Sequence, residues 1–309
     1  LISDGLLVMK ALFFRTVAAT VMGLAAISVQ AVEVQTAHGN VKFDKPLSDN
    51  IAVYDVGALD SITALGITPK GTSDAVGVSY LQDVYKQSTK VGTLFEPDLE
   101  KLNALKPEAA FIGGRMSPKY EEIQKVVPVV DMSNPKGVVY NISRTKEVLT
   151  EYGKLFAKED KAAELNKNLD EELEKTKQLT QGKKALMILV NGQKVSSYSE
   201  GSRFGYLFSD LGFIPLDEKK SEGRHGNPVS FEFIKEKNPD WLIVMDRTTA
   251  TNGKGDSAKV VLENALLKDV AAFKNNHVIY LDSSSYLASG GYQQMMLELK
   301  LLREATINK

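Results

Sequence analysis

The chain of 309 residues is 43% hydrophobic and 25% charged and contains no cysteine, so its fold must rest on an apolar core. Disulfides, thiolate metal sites and a cysteine nucleophile are excluded. Its 38 Lys and Arg against 39 Asp and Glu leave a formal charge of −1, which offers no whole-protein field for nucleic acid or a membrane surface, so affinity for anions must come from a local cluster.

Met9 opens the segment MKALFFRTVAATVMGLAAISVQA, with Lys10 and Arg15 flanking an apolar run from Val17 to Val29 and a small-residue exit at Val29-Gln30-Ala31. This pattern predicts that residues 1–31 are upstream residues and a cleaved export signal, with a mature start near Val32. The apolar run is short for a bilayer span and has no basic stop after it. No cysteine follows it to carry a lipid, so the expected location is a Gram-negative periplasm.

Residues 32–43 and 51–56 read as strands, and GALDSITALGI as a first helix ending at a glycine. KGTSDAV, the stretch 98–115 and VVPVVDM continue the alternation of strands and helices, giving an N-terminal α/β lobe over 32–142. Residues 143–183 change to helical spacing rich in Lys and Glu, with Val148, Leu149, Tyr152, Leu155, Phe156, Leu165, Leu169 and Leu173 on the buried face. A break into two helices is open at Lys158 to Asp160. This segment is expected to be a stiff helical spine. A second lobe over 184–309 restarts with the buried strand Ala185 to Val190, then the loop VNGQKVSSYSEGSRFG, the helix FGYLFSDLG, the strand HVIYLD and the terminal helix QQMMLELKLLREAT. The predicted class is α/β: two Rossmann-like lobes with parallel-type sheets, joined by a long helix, with a ligand cleft between them.

One design is written twice without a gap, as DLEKLNALKPEAAFIGGR (98–115) and SFEFIKEKNPDWLIVMDR (230–247). Each copy reads as a short amphipathic helix, a proline stop and an apolar strand that ends on an arginine. Ligands of open α/β sheets sit beyond the carboxyl ends of the strands, so facing lobes would aim Arg115 and Arg247 into one cleft. Guanidinium groups supply forked donors and a permanent charge suited to an anion with several oxygen acceptors.

Arg203 in EGSRFG, His225 in EGRHGNP and Tyr286 in SSSYLASGG lie in loops expected at the same end of the second lobe. His225 reads either as an exposed loop histidine or as a site residue. A phenol and an imidazole together can supply oxygen and nitrogen ligands to ferric iron. Glu100 and Glu232 start the two repeated helices, where a carboxylate either serves the helix dipole or forms a matching pair for a two-fold partner. The chain has no GxSxG elbow, no GxxxxGK[ST] loop and no HExxH. Its three isolated histidines do not form a zinc or manganese cluster.

The motifs LEKLNALKPEAAFIGGR, SRFGYLFSDLG, GRHGNPVSFEFIKEKNPDWLIVMDR and VIYLDSSSYLASG resemble the helical-backbone periplasmic substrate-binding proteins of ABC importers. The resemblance covers essentially the whole mature length and is nearest to the ferric-catecholate, enterobactin-binding branch. It implies a non-enzymatic, monomeric carrier with no permanent cofactor, which takes a ferric catecholate siderophore, linear and bis-catecholate forms included, to an inner-membrane permease dimer. It also implies that Arg115, Arg203 and Arg247 line the cleft, that His225 and Tyr286 ligate Fe(III) when a tetradentate siderophore leaves positions open, and that Glu100 and Glu232 dock on permease arginines. Relatives can carry a lysine three residues after the first cleft arginine. Here Pro118 holds that place, and Lys119 beside it is the further cleft candidate. Competing readings are a haem or cobalamin carrier of the same architecture and a periplasmic enzyme acting on anionic substrates.

Overall fold

The computed structural model describes residues 30–134, 140–219 and 226–308. The export-signal expectation for residues 1–31 therefore lies almost wholly outside the described residues, among which no helix is long and apolar enough to cross a membrane.

Strands Val32–Thr36 and Gly39–Phe43 form an antiparallel hairpin. His38 ties it to the first lobe, with its Nε2 3.1 Å from Asp131 Oδ2 and its ring stacked on Tyr120 at 3.6 Å. The sheet of that lobe is fully parallel, in the order Thr89–Lys90, Gly71–Thr72, Ala52–Val53, Ala110–Ile112, Val129–Asp131. The second sheet runs Asn227–Val229, Lys194–Tyr198, Lys184–Asn191, Trp241–Asp246, Val278–Tyr280, with Ile214–Pro215 also paired to Lys184–Asn191.

Lys184–Asn191, Trp241–Asp246 and Val278–Tyr280 are mutually parallel, as the buried apolar runs require. The segment after Val190, expected as a loop, instead turns at Gly192, whose φ is +58°, and returns as the antiparallel strand Lys194–Tyr198. Its serines concealed it. Ser197 is fully buried, yet its hydroxyl donates to Asp217, which satisfies the polar group that made the segment read as solvent-facing.

The sequence repeat is a structural repeat. Asp98 caps the helix Leu99–Leu105 by accepting from Lys101 N at 3.0 Å, and Ser230 caps Phe231–Lys237 by accepting from Phe233 N at 3.2 Å. Both helices stop on a residue in the left-handed region, Lys106 at φ 50° and Asn238 at φ 42°. The strands that follow, Ala110–Ile112 and Trp241–Asp246, each lie between two parallel neighbours.

The spine is two helices, Ile142–Leu155 and Glu159–Thr180, separated where Ala157 takes φ 51°. The 22 residues of the second span about 33 Å. The C-terminal helix Tyr292–Ile307 packs along it, with Arg303 Nε 2.6 Å from Glu172 Oε1 and Thr176 Oγ1 donating to Leu299 O at 3.1 Å. The same helix reaches back to the first lobe. The fully buried Asp60 accepts from Tyr80 Oη at 2.5 Å, Gln293 N at 2.7 Å and Gln294 N at 2.9 Å, so one carboxylate on Val56–Ala64 caps a helix from the far end of the chain. Gly291 makes room for it, since a Cβ there would lie 2.4 Å from Asp60 Cγ. One apolar cluster runs from Phe111 through Tyr152, Leu169 and Leu299 to Met187 and Ile243, so both lobes share a core.

Replacing Asp60 with Ala should cost about 3 kcal/mol in denaturant unfolding, because it strands buried donors. Burial pushes the Asp60 carboxyl up to about 7, against the pull of its three donors. Its folded value thus exceeds that of an unfolded aspartate. The resulting contribution is fully present below about pH 4 and is lost as pH rises through about 7. Asp60→Asn should therefore flatten the stability profile across that window, and an unchanged slope would contradict this assignment.

Candidate functional site

Segments at the carboxyl ends of the parallel strands of both sheets line a cleft of about 1510 Å³, among them those bearing Arg115, Arg203, Arg247 and Tyr286. That is larger than the roughly 300–1,000 Å³ of ordinary small-molecule pockets and fits a bulky guest.

Arg115 follows the buried strand Ala110–Ile112 across two glycines. Gly113 is required there, because a Cβ would fall 2.3 Å from Asp55 Oδ2. Asp55 in turn caps the helix Val56–Ala64, accepting from Ala58 N at 2.9 Å. Burial pushes the Asp55 carboxyl up and the nearby Arg115 charge pulls it down. Arg203 sits in the turn before the short helix Tyr206–Ser209, and Arg247 begins the helix that directly follows the strand Trp241–Asp246.

The three arginines converge on Tyr286, in the short helix Ser284–Leu287. Its carbonyl accepts from Arg115 Nη2 at 3.0 Å and from Arg203 Nη2 at 3.0 Å, and its hydroxyl accepts from Arg247 Nε at 2.7 Å. Arg115 Nη1 also donates to Leu287 O at 3.1 Å. The guanidinium carbons lie 4.6 Å (Arg203), 5.5 Å (Arg247) and 6.0 Å (Arg115) from the Tyr286 ring centroid, within cation–π range. Burial pushes the Arg203 guanidinium down from its ordinary value, and the Arg115 charge adds to this. Arg203 Nε is buried with no hydrogen-bond partner among the described residues, an unsatisfied donor that adds to the cost of holding this guanidinium in place.

Beneath this cluster, the buried Glu298 accepts from Ser285 Oγ at 2.5 Å, from Gln294 Nε2 at 2.7 Å and from Tyr206 Oη. It thereby joins the segments that carry Arg203 and Tyr286. Burial pushes its carboxyl up.

Of the other residues singled out in the sequence, His225 lies outside the described residues. Lys119 is not among the cleft-lining residues; its Nζ is 2.9 Å from Glu96 and 3.5 Å from Glu122. Glu100 and Glu232 are exposed in the first turns of the two repeated helices and are not in the cleft. Sequence reasoning missed Arg144, a fourth arginine of the lining. Its Nη2 donates to Met132 O at 3.1 Å and its Nε to Asn134 Oδ1 at 3.3 Å. A cation in the first turn of Ile142–Leu155 opposes the helix dipole, and that misfit was the available signal.

The profile of the periplasmic binding protein family matches residues 51–285, and the chain belongs to that family. The chain is 34% identical over 263 residues to the petrobactin-binding protein YclQ of Bacillus subtilis (strain 168), covering 82% of this chain and 81% of the relative. The crystal structure of YclQ superposes with a TM-score of 0.82 at 32% identity, over 90% of this chain and 99% of that one. The ferric-anguibactin-binding protein FatB of Vibrio anguillarum is 29% identical over 245 residues, 76% of this chain and 75% of its own. The periplasmic catecholate-siderophore binding protein VctP of Vibrio cholerae superposes with a TM-score of 0.80 at 30% identity, over 88% of this chain and 99% of that one. The two-lobed α/β architecture read from the sequence is the fold of these structures.

If Tyr286 organises the arginines, Tyr286→Phe and Arg247→Ala should be coupled. A double-mutant cycle on unfolding free energy should return about 1–2 kcal/mol for the pair, and strict additivity would show that the bond between them contributes nothing.

Proposed function

We propose that this chain captures a ferric siderophore bearing catecholate groups, of the enterobactin type and including linear or bis-catecholate forms, and delivers it to an ABC importer. The observation that carries this reading is the convergence of Arg115, Arg203 and Arg247 on one tyrosine in a wide cleft. Ferric iron with three catecholates carries a formal charge near −3, which three guanidinium groups offset. Relatives named for petrobactin, anguibactin and catecholate binding support cargo of this general kind.

With two catecholates the complex carries a charge near −1 and leaves about two iron positions open. Tyr286 and His225 are the proposed ligands for those positions. The bond from Arg247 Nε to the phenol oxygen favours the negative charge that an iron-bound tyrosine oxygen carries. The carrier acts as an exported monomer in the periplasm, and Glu100 and Glu232, matched and exposed on the two lobes, are the proposed contacts to a two-fold permease.

Titration of the protein against ferric catecholates, ferric hydroxamates, haem and cobalamin tests the cargo. Ferric catecholate should bind best, and Arg115→Ala, Arg203→Ala or Arg247→Ala should each weaken it by about 1.5–3 kcal/mol. Unchanged affinity in all three variants, or preference for haem or cobalamin, would overturn the reading.

Docking is tested separately. Glu100→Ala with Glu232→Ala should leave ferric-catecholate affinity intact while sharply reducing radioiron uptake in cells lacking the native carrier, because rim charges guide association rather than hold the cargo. Normal uptake would reduce both glutamates to helix-start residues.

A further inference from the structure

Among the described residues, the most exposed large hydrophobic side chain is Phe95, at 62%. It lies in the lining of the cleft together with Leu94, Ala75 and Val76, an apolar stretch contributed by the first lobe. Solvent exposure of a phenylalanine forfeits the free energy its burial would supply, and a single exposed apolar residue usually needs no explanation. Phe95 differs in how firmly it is held at the rim of a binding cleft.

The turn that presents it is closed by Thr93 N donating to Glu96 O at 2.8 Å. The Thr93 hydroxyl accepts from Phe95 N at 3.2 Å and from Glu96 N at 3.0 Å. At its base, Gly92 bridges Pro97 with φ +136°, and a Cβ on Gly92 would meet Glu96 O at 2.4 Å. Lys119 Nζ, 2.9 Å from Glu96, braces the flank of the turn. The lysine expected to touch the ligand is thus positioned to hold the loop that carries Phe95.

The cleft therefore combines a cluster of guanidinium groups with a pre-set aromatic face. A guest that uses both must be an anionic complex whose outer surface includes flat aromatic rings. We propose that Phe95 is a specificity-determining residue that stacks on an aromatic ring of the chelator and so favours aryl chelators over equally anionic aliphatic ones. This rests on the reading of the cleft as a ferric siderophore site and adds the basis of selection within that class.

The test compares the parent protein with Phe95→Ala, Phe95→Leu, Phe95→Trp and Arg247→Ala, each titrated with the ferric complex of a bis(2,3-dihydroxybenzoyl) chelator and with ferric citrate. All the Phe95 variants should fold, since the side chain is mostly in water. For the aryl complex, Phe95→Ala should weaken binding by about tenfold and Phe95→Leu nearly as much, while Phe95→Trp restores it. Ferric citrate affinity should stay within about twofold for all the Phe95 variants, and Arg247→Ala should weaken both complexes.

Equal affinity of Phe95→Ala and the parent for the aryl complex would overturn the proposal while Arg247→Ala still supports the siderophore site. Full affinity in Phe95→Leu would replace stacking by simple apolar cover and overturn it too. Unchanged titration with reduced cellular uptake would assign Phe95 to transporter contact instead. Failure of the parent protein to bind the aryl complex would remove both the proposal and the reading it rests on.

Discussion

Three permanent cations share one tyrosine, and much of the molecule is arranged to make that possible. Arg115, Arg203 and Arg247 come from three separate segments and repel one another, and Arg203 is buried enough for its charge to be disfavoured. The Tyr286 carbonyl, the Tyr286 hydroxyl and the ring face offset part of that cost. Glu298 fixes the placement of the cluster, because its buried carboxyl group joins Tyr206, just after Arg203, to Ser285, just before Tyr286. What remains uncompensated is an excess of positive charge facing an open cleft, a field suited to an anionic guest.

The two lobes hold this cluster in register because they are not independent. A shared apolar core, two spine helices and the C-terminal helix capped by Asp60 link them. Covalent continuity and packing therefore both oppose large rearrangement of one lobe against the other.

The repeated design 98–115 and 230–247 was the most legible part of the chain because it combined capping, helix stop and strand in one ordered pattern, each with a local physical cause. The strand-end arginines followed from it, and Arg203 and Tyr286 from polar residues in glycine- and serine-rich loops. Less accessible were features decided by tertiary contacts. The strand Lys194–Tyr198 read as a loop because its serines are satisfied by distant partners such as Asp217. Lys119 is turned to Glu96 by a turn some twenty residues earlier in the chain. The place of Arg144 in the cleft, the tyrosine as the meeting point of the arginines, and the cap that Asp60 supplies to the last helix all depend on which segments the fold brings together. None leaves a periodic trace in sequence.

Charge selection is the central physical claim, and the affinity difference between two complexes of similar size measures it most directly: ferric tris-catecholate, near −3, and neutral ferric tris-hydroxamate. Calorimetric titration of the parent protein should favour the anionic complex by at least about a hundredfold, a gap that collapses when Arg115, Arg203 and Arg247 are all replaced by glutamine. Equal affinity for the two complexes in the parent protein, or a preference that survives loss of all three arginines, would contradict capture by the guanidinium cluster.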